Sequence, residues 1–157
     1  MAPELEDAEA NSRRARVLEE HRAWLRRDGL FGGFPEEVEW RLVGLHPDEV
    51  LSILYIDWDW WLRISDGTRL PLDAAARIRA GEVPGSSVEW HEQIVARLRT
   101  GDPPPELIIA STPDLSRLVA VERHVRLTAY ALFPEYLAEE LPVYLGTSEA
   151  MGDWALF

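Results

Sequence analysis

The sequence contains no cysteine and no lysine, so all 16 of its basic residues are arginine. Without cysteine the chain has no disulfide, no thiolate nucleophile and no cysteine-bound zinc or iron–sulfur cluster. Without lysine it has no Schiff-base nucleophile and no phosphate-binding lysine of the P-loop or protein-kinase type. Only four histidines are present, too few for a dense histidine metal cluster. Any chemistry must therefore come from carboxylates, histidine, hydroxyls and arginine.

Acidic residues dominate the charge. Twenty-eight Asp and Glu residues outnumber the arginines, and the formal net charge is −12. Broad binding of duplex nucleic acid needs a basic face, so we expect no such partner. Apolar runs fall far short of the ~20 residues of a membrane span, and the acidic residues 1–11 lack the basic and apolar regions of a signal peptide. We therefore expect a cytoplasmic protein with no membrane partner.

Length and apolar content predict a single folded domain. The chain has 157 residues, 46% of them hydrophobic and seven of them Trp, which is enough for a core but short for two domains. We interpret residues 1–11 as a disordered acidic tail and residues 12–157 as the domain. Within it, residues 12–56 form a helical extension and residues 57–157 an α+β core.

Helical spacing and capping residues predict a mostly helical first half. The predicted helices cover residues 12–28, 35–43, 47–54, 73–80 and 88–100. Residues 57–65 instead alternate, which predicts a strand that turns at Asp66-Gly67. In this strand Trp58 and Trp60 would face the core. Trp61 would face the other way, where it is able to stack against an aromatic ligand.

The second half is predicted to hold a small mixed sheet with packed helices. Buried apolar runs predict strands at residues 106–111, 117–122 and 141–146, and a helix at residues 124–133 lies between the last two. A short helical turn capped by Thr147 or Ser148 closes the chain. The fold class is therefore α+β.

Residues 88–146 resemble the ParB/sulfiredoxin superfamily. Pro-Pro-Glu-Leu-Ile-Ile-Ala at 104–110 is similar to its first strand, and Leu-Val-Ala-Val-Glu-Arg-His-Val-Arg-Leu-Thr-Ala-Tyr at 118–130 to its second strand and its (D/E)-G-H-x-R-x-x-A turn. Leu-Pro-Val-Tyr-Leu at 141–145 is similar to the strand that follows. The resemblance implies a ParB/sulfiredoxin-like fold with a nucleotide or phosphate site at the turn. Family members variously bind or hydrolyse CTP or ATP, transfer phosphoryl groups, reduce sulfinic acid or act as nucleases.

This chain departs from the family pattern. Arg123 stands where the family has glycine, a residue that allows positive φ or a close approach of backbone to phosphate. The lack of cysteine excludes the sulfiredoxin reaction. No helix-turn-helix follows the matched region, so a chromosome-partitioning role on DNA is not expected.

The matched turn gathers groups suited to an anion. A helix that begins there directs free backbone N–H groups and its positive dipole end toward the site. Arg126 adds a bidentate donor for phosphate or carboxylate, and Arg123 either fills the space that glycine would leave or adds a further anion contact. We expect His124 to donate to the ligand or exchange a proton, and Glu122 to act as a base or metal ligand.

Two further candidates lie in residues 57–69. Gly67, Thr68 and Arg69 form a turn rich in donors that could close over an anion held at the matched turn; an ordinary loop is the simpler interpretation. Asp57 and Asp59 share the polar face of the predicted strand and could hold Mg²⁺. Solvated surface carboxylates are the alternative.

These observations predict binding of an anionic small molecule, either a nucleotide or a phosphorylated metabolite. Phosphoryl transfer or hydrolysis with Mg²⁺ needs no protein lysine and is compatible with the site. The alternative is a catalytically degenerate domain that binds a protein partner and no nucleotide. Exposed aromatic residues would be compatible with a homodimer.

Overall fold

The computed structural model describes Arg16, residues 29–99 and residues 107–157. The predicted tail, and the predicted helix at residues 12–28 apart from the helical Arg16, lie outside the described residues. The described part is an α+β fold. Its α-helices are α1 (Pro47–Leu51), α2 (Asp59–Ile64), α3 (Pro71–Arg79), α4 (Val88–Arg99) and α5 (His124–Leu132), and its strands are β1 (Glu39–Leu45), β2 (Leu107–Ser111), β3 (Val119–Glu122) and β4 (Leu141–Thr147).

The four strands form one mixed sheet in the order β1-β4-β2-β3. β1 pairs antiparallel with β4, β4 parallel with β2, and β2 antiparallel with β3. Beyond β3, Leu54 forms an isolated parallel bridge with Val119. The matched turn therefore follows the last full strand of the sheet, at one side of the fold.

Both faces of the sheet are covered, and this explains the unbroken apolar run of β2. Leu107 and Ile109 enter a core shared with α1, α3 and α5, while Ile108 and Ala110 enter a second core. This second core holds Phe31, Met151, Trp154 and Leu156 from the two ends of the described chain. A strand between two cores alternates sides without exposing a polar residue.

Most predicted elements of the second half are confirmed. β2, β3, α5 and β4 lie within one or two residues of their predicted bounds, and so do α3 and α4 in the first half. Ser87 caps α4 by accepting a hydrogen bond from the Trp90 N–H at 3.1 Å. Ser148 caps the closing 3₁₀ turn, where it accepts from the Ala150 N–H at 3.3 Å. In these elements the residue propensities agree with the capping and turn residues that bound them.

The predicted helix at residues 35–43 is wrong, because this segment leads into β1. β1 pairs with β4 from Glu39 opposite Thr147 to Leu45 opposite Leu141. Val43 and Leu45 face the helical side of the sheet, whereas Leu42 packs on the opposite core. Pairing with a strand about a hundred residues away overrides the local helical signal of Pro35.

The predicted strand at residues 57–65 is also wrong, because Asp59–Ile64 within it form helix α2. Trp61 and Ile64, three residues apart, are the side chains that pack on the core, and this spacing is helical. Trp58 and Trp60 are therefore not core residues: they are 47% and 37% exposed. Asp59 in the first turn pairs with Arg63 one turn later at 2.9 Å, which stabilises a short helix further.

No α-helix within the described ranges is long and apolar enough to cross a bilayer.

Candidate functional site

The matched turn joins β3 to α5 through a left-handed residue. Arg123 has φ 72° and ψ 32° and occupies the N-cap position of α5. Its backbone N–H donates to the Oε1 atom of Glu122 at 3.1 Å, and its carbonyl accepts from the Leu127 N–H at 3.1 Å. A non-glycine residue at positive φ is uncommon and adopts it under tertiary constraint. Arg123 thus adopts a backbone conformation that glycine would enter without a side-chain clash.

A cleft of about 260 Å³ opens beside this turn. Its lining residues are Trp61, Ile94, Glu122, Arg123, His124, Val125 and Arg126. The structure therefore brings together Glu122, Arg123, His124 and Arg126, and adds Trp61 from α2, a site residue predicted from a different segment. Ile94 from α4 completes the wall and was not predicted.

The charges around the cleft favour an anion. The lining residues of the cleft include two arginines, Arg123 and Arg126, and one acidic residue, Glu122. The first turn of α5 holds no acidic residue, so the positive end of its dipole is not neutralised from within the helix. Burial raises the pKa of Tyr130, and the charge of Arg126 one turn before it opposes that rise.

His124 is held by an aromatic stack. Its ring lies 4.9 Å from the Trp61 ring at an interplanar angle of 19°, and Trp61 stacks in turn on Tyr55 at 4.6 Å. The Tyr55 hydroxyl bonds to the Thr128 hydroxyl at 2.6 Å, and Thr128 donates to the His124 carbonyl at 3.0 Å. Burial outweighs this hydrogen bond and raises the pKa of Tyr55 well above its usual value.

The imidazole of His124 is 1% exposed, and both its ring nitrogens are shielded from solvent. This placement fits a side chain that fixes the start of α5 better than one that exchanges protons with a ligand. Trp61, predicted to contact ligand by stacking, stacks on both Tyr55 and His124, whose rings are themselves 6.3 Å apart. This three-ring cluster holds the turn in place.

The predicted contacts at Gly67, Thr68 and Arg69 do not reach this cleft. The Arg69 guanidinium donates to the backbone carbonyls of Tyr55 at 2.8 Å, Phe157 at 2.9 Å and Leu156 at 3.1 Å. Burial lowers the pKa of Arg69, and the charge of Asp57 opposes that shift. The Thr68 hydroxyl donates within the turn to the Ser65 carbonyl at 2.9 Å. The turn therefore has a structural role: through Arg69 it binds the backbone of Leu156 and Phe157.

The predicted metal pair at Asp57 and Asp59 loses its basis with the predicted strand. Asp57 precedes α2, Asp59 lies in its first turn, and both are exposed. Asp59 is engaged by Arg63. Within the part of the chain that the structure describes, no group of three or more potential metal ligands occurs.

A second, aromatic cleft of about 120 Å³ adjoins the first. Its lining residues are Trp60, Trp61, Ile64, Gly85, Ser86, Trp90, His91, Val125 and Thr128. Trp61 and Val125 line both clefts, so the two lie side by side. Trp90 was not predicted as a site residue. Its place on the polar side of amphipathic α4, one residue before buried His91, was the available signal.

Comparisons with protein-family models, with curated proteins and with solved structures find no match to this chain. The residues of the two clefts therefore carry the functional argument.

Proposed function

We propose that the chain binds an anionic small molecule, a nucleotide or a phosphorylated metabolite, in the cleft beside Arg123 and Arg126. The observation that carries this proposal is the pairing of two arginines with the N-terminal turn of α5 around one cleft. Helix N-termini and guanidinium groups both favour phosphate and carboxylate oxygens.

The backbone of Arg123 supports a link to the ParB/sulfiredoxin type of site. The family pattern has glycine at this position, and the chain adopts the left-handed conformation there despite its side chain. The order strand, left-handed residue, helix is compatible with that type of site, with arginine at the position of the glycine. The side chain adds a positive charge to the cleft wall that glycine would lack.

The geometry supports binding more strongly than catalysis. His124 has shielded nitrogens, so we assign it to positioning the turn. Glu122 remains the candidate base or Mg²⁺ ligand, because it lines the cleft and its Oε1 atom is fixed by the Arg123 N–H. For phosphoryl transfer or hydrolysis, Glu122 would help to hold Mg²⁺, and the ion would neutralise charge on the phosphates of a bound nucleotide.

Calorimetric titration with inorganic pyrophosphate, ATP and CTP, each with and without Mg²⁺, tests the proposal. Arg126→Gln removes a cleft charge and should weaken binding at least tenfold. Arg77→Gln is the matched control, since Arg77 is also half-buried and hydrogen-bonded but lies outside both clefts. Unfolding curves of both variants establish that the fold is intact. Lack of binding by wild type, or equal loss in both variants, contradicts the proposal.

A catalytically degenerate protein-interaction domain is the second candidate. It is favoured by two exposed indoles at the start of α2, those of Trp58 and Trp60, since such groups often mark contact surfaces. It predicts that no phosphate compound stabilises the protein. It also predicts that Trp58→Ser abolishes a stable complex that Arg126→Gln leaves intact, measured by co-purification and size-exclusion chromatography.

A further inference from the structure

The aromatic cleft is built from exposed tryptophans that distant parts of the chain bring together. Trp60 on α2 is 37% exposed and Trp90 on α4 is 47% exposed. Among the described residues six large apolar side chains are exposed, and three of these, including Val125, line this one cleft. Exposed indoles gathered around a concavity are typical of a recognition site rather than of scattered surface residues.

A buried histidine, His91, also lines this cleft. The imidazole of His91 is 2% exposed, and its Nδ1 lies 2.8 Å from the Ser87 carbonyl. A carbonyl only accepts hydrogen bonds, so Nδ1 carries the proton and the neutral ring leaves Nε2 as an acceptor. Burial lowers the pKa of His91, which keeps this neutral form near pH 7. No described residue donates a hydrogen bond to Nε2.

A neutral ring suits this cleft better than a cation does. Tryptophan cages also bind ammonium groups, but here the guanidinium of Arg63 already lies 5.4 Å from the centroid of the Trp60 ring. A second cation beside that indole would meet repulsion. The remaining chemistry is tryptophan walls with His91 Nε2 as an acceptor and the Ser86 hydroxyl as a further polar group, which fits a planar ring with an N–H or amino donor.

We propose that the aromatic cleft binds a planar aromatic heterocycle with an N–H donor, such as the base of a nucleoside, between Trp60 and Trp90 and against His91 Nε2. The inference rests on the proposed function in one respect: the same ligand places its anionic group in the adjoining cleft. Together the two clefts reach the roughly 300–1,000 Å³ typical of small-molecule sites. The predicted substrate class is therefore a nucleotide rather than a phosphorylated sugar or acid.

The test separates the two halves of the ligand. Titrations use inorganic pyrophosphate, the four common ribonucleosides and their 5′-diphosphates, followed by calorimetry and by NMR of the indole N–H signals. At least one diphosphate should bind about tenfold or more tightly than pyrophosphate, the order of effect that base stacking provides. The matching nucleoside alone should shift the Trp60 and Trp90 signals.

Trp90→Ala should remove that gain and leave pyrophosphate affinity unchanged. Trp58→Ala is the matched control, because Trp58 is also 47% exposed but lines neither cleft; it should change nothing. His91→Gln should weaken the diphosphate more than pyrophosphate.

The failures are distinguishable. Nucleotides that bind no more tightly than pyrophosphate overturn the heterocycle assignment while the anion proposal stands. A nucleoside that shifts the two indoles in a protein indifferent to pyrophosphate supports the heterocycle assignment and refutes the anion proposal. If Trp90→Ala abolishes the co-purification of a partner protein but leaves nucleoside binding unchanged, the cleft is a protein-docking surface and the heterocycle assignment is wrong.

Discussion

Arg69 offers the sharpest separation between a structural and a ligand-binding role. Its three guanidinium nitrogens each donate to a backbone carbonyl, of Tyr55, Leu156 and Phe157. Hydrogen bonds from a charged group contribute about 1.5–3 kcal/mol each. The side chain is only half-buried, so we take the low end of this range for each hydrogen bond. Because the three bonds share one guanidinium group, their contributions are not fully additive. Arg69→Ala should therefore lower the free energy of unfolding by about 3–4 kcal/mol.

Arg69→Lys refines this expectation, since one ammonium group cannot span three carbonyls and should lose about 2 kcal/mol. Urea unfolding followed by tryptophan fluorescence measures both values. Arg117→Ala is the control, because exposed Arg117 makes one long 3.4 Å bond to the Phe157 carbonyl and should cost less than about 1 kcal/mol. A loss below about 1 kcal/mol for Arg69→Ala, or a loss of pyrophosphate affinity without a loss of stability, would refute the structural role.

Three further predictions concern the supports of the two clefts. Tyr55→Phe deletes the buried 2.6 Å hydrogen bond to Thr128 and should cost about 1–2 kcal/mol in urea unfolding; no change would show that the bond is not maintained in solution. Arg123→Gly should relieve the positive φ and raise stability by up to about 1 kcal/mol, whereas Arg123→Val should lower it by about 1–2 kcal/mol; equal effects would contradict the left-handed conformation. Burial lowers the folded-state pKa of His91, so the unfolded chain takes up this proton first, and stability should fall as pH drops below about 6.5 toward the folded pKa. His91→Gln should flatten that slope in urea unfolding between pH 5.5 and 7.5, and an unchanged slope would exclude His91 as its source.

The predictable parts of the fold are those in which a long hydrophobic pattern is bounded by clear capping or turn residues. α4 has twelve residues, a serine cap and an amphipathic stripe, so its period is visible in the sequence alone. The sequence of β2 is an almost unbroken apolar run. Such a run is typical of a strand that is covered on both faces. The matched turn between β3 and α5 was likewise predictable from local sequence.

The missed elements are short or depend on distant partners. α2 has six residues, less than two turns, so the alternation of Asp and Trp over residues 57–60 predicts a strand as readily as a helix. β1 is specified by its pairing with β4, which no local window contains. The wrong prediction of a strand at residues 57–65 also affected the predicted site. A strand would have buried Trp60, whereas helix α2 presents it to the aromatic cleft.

The residues of the candidate site likewise divide into those that are close in sequence and those that only tertiary packing brings together. Glu122, Arg123, His124 and Arg126 come from one stretch of five residues and could be proposed together. The opposite walls come from α2 and α4, which reach the turn only through tertiary packing. Sequence alone could therefore predict an anion at the turn, but not the aromatic half of the ligand that Trp90 and His91 define.

Arg123 connects backbone strain to the electrostatics of the cleft. The left-handed conformation costs a non-glycine residue about 1–2 kcal/mol, and glycine would adopt it without a side-chain clash. In a chain of net charge −12, an anionic ligand approaches against a repulsive background field. A guanidinium at the cleft wall offsets that repulsion where the ligand binds. Arg123→Gly should therefore make the protein more stable and the pyrophosphate affinity weaker, two opposite changes that a purely structural arginine would not produce.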